Sequence, residues 1–151
     1  MKKFLLIGTL LLSTAGITIA ANKTYSQTYI DNFKSCTPSS ETFSTDIKTQ
    51  DPNTPVIYLE SKEIITGRQG GKCLTKSMVY NITKQTDGTI NREKVLTVDC
   101  RFTDEQLNKI TSKMQSSQTS PEAQTQLQQT MTQYVKDPEV CTITNQLQPQ
   151  E

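Results

Sequence analysis

The sequence predicts an α+β domain: a three-stranded antiparallel β-meander with an N-terminal helix, a C-terminal helical hairpin and two disulfides. Three observations carry this expectation. Segments rich in β-branched and aromatic residues, punctuated by Gly70-Gly71 and Asp87-Gly88, fill positions 56 to 102. Helical spacing with recognisable caps flanks that block on both sides. Four cysteines, Cys36, Cys73, Cys100 and Cys141, are too far apart in sequence for any Cys-x-x-Cys pair.

Taken in chain order, Met1-Lys2-Lys3 places two positive charges ahead of the apolar run from Phe4 to Leu12, and Ser13 to Ala21 ends in small residues. This is the pattern of a bacterial export leader, cleaved after Ala20 or Ala21, of which Ala21 is favoured. The apolar run falls short of the roughly 20 residues that a spanning helix needs, which weighs against a retained anchor. Expected organisation is therefore a leader over 1–21, one disulfide-stapled domain over 22–144 and a frayed polar tail over 145–151.

Tyr25, Tyr29, Ile30 and Phe33 recur at helical spacing, and Cys36-Thr37-Pro38 ends that helix. Ser39 to Pro55 is rich in Ser, Thr, Asp and Pro and reads as a loop with a short extended piece at Phe43. Val56 to Arg68 reads as a strand, Lys72 to Ile82 as a second and Glu93 to Phe102 as a third. In ideal register both faces of this meander collect apolar residues: Leu59, Ile65, Leu74, Met78, Tyr80 and Ile82 on one, Tyr58, Ile64, Val79, Leu96, Val98 and Phe102 on the other. Either both faces are covered or a bulge switches the phase. Thr103-Asp104-Glu105-Gln106 is a capping box ahead of Leu107, Ile110 and Met114. Ser120-Pro121 opens a second helix whose stripe is Ala123, Leu127, Met131, Tyr134 and Val135, stopped by Asp137-Pro138. Val140 to Ile143 docks or pairs briefly.

Composition explains the cysteines. The chain holds 24 threonines and 15 glutamines and is only 33% apolar, so a domain of this size has a thin core to bury and gains from covalent ties. Four cysteines allow three connectivities. A two-residue turn at Asp87-Gly88 pairs 86 with 89 and sets Cys100 opposite Thr75. Cys73 is then a diagonal neighbour about 7–8 Å away, beyond the Cα span of about 4.4–6.8 Å that a disulfide bridges. Cys36–Cys73 with Cys100–Cys141 is favoured, and a bulge in the meander would reopen Cys73–Cys100. Each favoured loop of about 40 residues is worth about 3–4 kcal/mol in the chain-entropy account.

The same composition narrows the chemistry. No histidine is present, which removes Ser-His-Asp and Cys-His nucleophiles and the ordinary histidine metal sites. Gly67-Arg68-Gln69-Gly70-Gly71 lacks a following helix and is a turn, not a phosphate cradle. Glu60, Glu63 and Asp99 are the carboxylates available for hydrolysis, but sugar-cleaving sites want aromatic platforms and the chain has no Trp, five Tyr and four Phe. These acids read as solvated strand faces or ion pairs. Lys72 and Lys76 lie near Ser77 in sequence, yet Lys76 and Ser77 point to opposite faces. Met78, Met114 and Met131 read as packing residues, not a soft metal site. Asn22-Lys23-Thr24 and Asn81-Ile82-Thr83 match the glycosylation acceptor pattern by chance in a bacterial chain. Gln124-Thr125-Gln126 and Gln128-Gln129-Thr130 read as an inert helix exterior.

Loss of Lys2 and Lys3 with the leader leaves 14 basic against 15 acidic residues, without a basic run for nucleic acid or membrane. No catalytic residue, metal ligand or cofactor is assigned. The expected function is a non-enzymatic binding module, periplasmic or secreted, whose partner is an envelope protein or glycan. A carboxylate-dependent hydrolase or a cysteine-based redox protein is the alternative.

Overall fold

Ser26 is extended (φ −66°, ψ 150°) and accepts the Tyr29 N–H at 3.1 Å, so the first helix, α1 (Gln27–Ser35), opens on a side-chain cap. It closes on Cys36, whose φ of 56° is left-handed. The Thr37 N–H reaches back to the Asn32 carbonyl at 2.8 Å and the Cys36 N–H to Phe33 at 3.2 Å, a Schellman arrangement in which cysteine stands where glycine is usual. The structure, a computed structural model, describes residues 24–47 and 56–145. The expected leader over 1–21, Asn22 and the tail beyond Asn145 lie outside the described residues.

Five strands follow, not three: β1 (Ser39–Ile47), β2 (Val56–Gln69), β3 (Lys72–Lys84), β4 (Ile90–Phe102) and β5 (Cys141–Asn145), all antiparallel and in sequential order across one sheet. Two helices, α2 (Asp104–Ser117) and α3 (Pro121–Lys136), form the hairpin between β4 and β5. Strand β1 corrects the first part of the loop expected over Ser39–Pro55, while residues 48–55 lie outside the described residues. It lies at the sheet edge, where Ser and Thr suffice because only one flank is paired, so its sequence lacks the apolar alternation that marks an inner strand. Strand β5 extends the brief pairing expected at 140–143, and it takes in Asn145, opposite Leu96, from the expected tail.

Register shifts at two places decide the faces. Between Ile65 and Gly67 the β2–β3 ladder skips Thr66, and between Val79 and Tyr80 the β3–β4 ladder skips Val95. Gly67 supplies φ 119° at the first, with Pro38 Cγ at 3.5 Å from where a Cβ would stand. As a result Ile65, Cys73, Val79, Leu96, Val98, Cys100 and Phe102 share one face, here the inner one. Tyr58, Ile64, Leu74, Met78, Tyr80 and Ile82 share the outer one.

The turn after β3 is also longer than expected. Gln85 donates to Thr89 at 2.8 Å and Gly88, at φ 88°, donates to Gln85 at 3.0 Å, enclosing three residues where the sequence predicted two. The Asp87 carboxylate accepts the Thr89 N–H at 2.8 Å, and this bond holds its pKa below the ordinary value. The skipped Val95 offsets the longer turn, so Cys100 still faces Thr75, and Cys73 faces Phe102. Cys36 and Cys73 stand at disulfide distance with Cα atoms 5.7 Å apart, and Cys100 and Cys141, directly opposite each other on β4 and β5, at 4.1 Å.

All three helices cover the inner face. Ile30, Phe33, Leu107, Ile110, Met114 and Leu127 join Ile65, Cys73 and Phe102 in one cluster, with Ile30, Ile110 and Cys73 fully enclosed. Helix α2 carries the full capping box: Thr103 Oγ1 accepts the Gln106 N–H, and Gln106 Oε1 accepts the Thr103 N–H. Among the described residues no helix is long and apolar enough to cross a membrane.

Candidate functional site

Side chains alternate along a strand, so a sheet with helices on one face should show the other face polar. The outer face departs from that rule. Tyr58, Ile64, Leu74, Met78 and Tyr80 are half-buried there, and Ile82 is 2% exposed, set between Tyr58 and Arg92 in the register.

One linked unit crosses three strands of this face. The Arg92 guanidinium of β4 lies 3.6 Å from the ring centroid of Tyr80 on β3 and forms an ion pair with Glu60 of β2. The Tyr80 hydroxyl in turn donates to Met78 Sδ at 3.4 Å. Nearer the α2 end, Lys76 pairs with Asp99 at 3.3 Å, both side chains close to half exposed. These contacts fix the orientation of Tyr80 and Arg92 and leave a firm platform of mixed apolar and charged character.

A second concavity of about 450 Å³ is lined by Asp31, Lys34 and Ser35 of α1, Arg68 of β2, and Asp104 and Asn108 of α2. Arg68 and Asp104 within it already pair at 2.7 Å. With no apolar side chain in its wall, it lacks the character of a small-molecule pocket.

The sequence-derived candidates scatter. Glu60 and Asp99 reach the outer face, each in its ion pair, while Glu63 is on the inner face accepting from Ser77 Oγ at 2.9 Å. Ser77 and Lys76 are separated by the sheet, and Lys72 sits at the turn beyond them. Met78 is on the outer face, Met114 in the helical core and Met131 packed against it. Asn81 is half-buried on the inner face with its Oδ1 unpartnered. Thr130 of the glutamine-rich helix is buried, whereas Thr125, Gln126 and Gln129 are exposed.

Sequence reasoning missed the outer-face unit. Its signal was present as charges two residues apart, Glu60 with Lys62 and Arg92 with Lys94, a strand-period pattern that acquires meaning only once β2, β3 and β4 are in register. On the inner side, Tyr25 just ahead of α1 and Tyr29 within it are buried, and burial pushes both phenols well above the ordinary tyrosine range, the Glu63 carboxylate adding to the effect. Compared with known proteins, the chain matches no family, no curated sequence and no solved structure.

Proposed function

We propose that this chain is an extracytoplasmic, non-enzymatic binding module that docks a protein partner on the outer face of its sheet. The observation that carries the proposal is the asymmetry of the sheet: helices on one face, and on the other a platform of Tyr58, Ile64, Met78 and Tyr80 held by Glu60 and Arg92 with no described element over it. Aromatic, Met and Arg side chains are the types enriched at protein interfaces. The sequence leader and the two cysteine pairs at disulfide distance support periplasmic or secreted residence.

The alternatives draw less support. A redox role needs a sulfur within reach of an attacking thiolate, yet all four cysteines are buried. A hydrolytic role needs a carboxylate free to exchange a proton with substrate, yet Glu60 and Asp99 are engaged with cations.

A photocrosslinking residue at Thr142 or Tyr58, compared with one at Gln126 on the helical exterior, tests the reading in the native cell envelope. The expected result is one discrete adduct from the sheet positions, suppressed by excess unlabelled protein, and none from Gln126. Equal adducts from both faces, or none from the sheet, would overturn it.

A further inference from the structure

The register segregates charge in a way the linear sequence hides. Among the described residues, outer-face positions hold seven bases, including Lys62, Lys76, Arg92, Lys94 and Arg101, against the acids at 46, 60 and 99. Every other described position together holds five bases and ten acids. A chain whose net charge is close to neutral therefore folds with a basic sheet face and an acidic helical side. Arg92 and Lys76 are committed to Glu60 and Asp99, but Lys62, Lys94 and Arg101 have no carboxylate partner among the described residues.

From this segregation we infer that the occupant of the outer face is an acidic protein segment carrying aromatic or aliphatic anchors between its carboxylates. The inference deepens the docking proposal and rests on it. Unpaired cations around half-buried apolar side chains attract an anionic surface and orient it during encounter, while the apolar centre supplies the contact area. A lipid surface fits less well. Insertion into a bilayer needs a group of apolar side chains standing clear of the protein, and among the described residues of this face the one large apolar residue that does so is Ile90, 60% exposed at the turn. Ile64, Leu74, Met78 and Tyr80 lie half-buried among charged neighbours instead.

The test uses purified, oxidised protein and a synthetic Glu-Tyr copolymer, with a Lys-Tyr copolymer as the charge control, in fluorescence anisotropy at low and physiological salt. The variants are Lys62→Glu with Lys94→Glu on the sheet face and Lys109→Glu with Lys136→Glu on the helical side, which change net charge equally; matching circular dichroism and melting curves certify both folds. The expected result is salt-sensitive binding of the acidic copolymer alone, weakened at least about tenfold by the sheet-face pair and less than about twofold by the helical pair. Equal weakening by both pairs, or no binding, would overturn the inference. So would tighter binding to phosphatidylglycerol vesicles or to heparin, which would assign the face to lipid or glycan. Salt-sensitive dimerisation in sedimentation, abolished by the sheet-face pair, would also overturn it by assigning the face to a second copy. If crosslinks form at Thr142 or Tyr58 while the acidic copolymer fails to bind, the docking surface stands and only its acidic specificity falls.

Discussion

Individual side chains differ widely in what they hold. Ile110 is fully enclosed at the junction of α2 with the sheet, whereas Ile90 stands 60% exposed at the β3–β4 turn. Truncating the first removes buried methyl groups and leaves a void, so Ile110→Ala is expected to cost about 2–5 kcal/mol in urea unfolding, and Ile90→Ala about 0.5 kcal/mol or less. Tyr25 and Tyr29 give a pH signature. Their pKa values lie above the ordinary 10.0 because burial disfavours the phenolate, so the folded chain keeps protons that the unfolded chain releases from that pH upward. Fewer protons are then bound in the unfolded state, and stability falls as pH rises beyond 10.0, having been fully present below it. Melting temperatures at pH 9, 10 and 11 should drop steeply for the native chain and less steeply for Tyr25→Phe with Tyr29→Phe; parallel slopes would remove the tyrosines as the cause.

At the scale of elements, what the sequence could reveal depended on whether the decisive interactions were local. Helices α2 and α3 were legible because their caps and apolar stripes lie within a few residues of each other: Thr103 with Gln106, and Ser120 with Ala123. Replacing Thr103 by Ala breaks one half of the capping box, with an expected loss of about 1 kcal/mol read from the shift in urea midpoint. Strand β1 was not legible, since what makes Ser39–Ile47 a strand is its ladder to β2. The β3–β4 register came out correct at Cys100 for a reason the sequence did not contain: a turn one residue longer than expected and a skipped Val95 compensate each other. That also explains the site. Glu60, Asp99, Lys76 and Met78 were recognisable as residue types, but their assembly on one face depends on both bulges.

The whole molecule is a thin core held between two covalent ties. Cys36–Cys73 anchors the end of α1 to the start of β3, and Cys100–Cys141 closes the path from β4 through the helical hairpin to β5. The sequence separations, 37 and 41, are nearly equal. Replacing either pair by serine should therefore lower stability by similar amounts, about 3–4 kcal/mol each by chain entropy, measured by denaturant unfolding of the two double variants. A much larger loss from one pair would show that it also holds native packing. With the described helices, the main hydrophobic cluster and both ties on the inner side, no described element covers the outer face. Hydroxyl-radical footprinting asks most directly whether that face is used, because Met and Tyr report their exposure by oxidation. Tyr58, Met78 and Tyr80 should be modified in the purified protein and protected in the intact envelope, with Met131 and Tyr134 of the helical layer unchanged between the two. Equal modification of the three sheet residues in both settings would contradict the account.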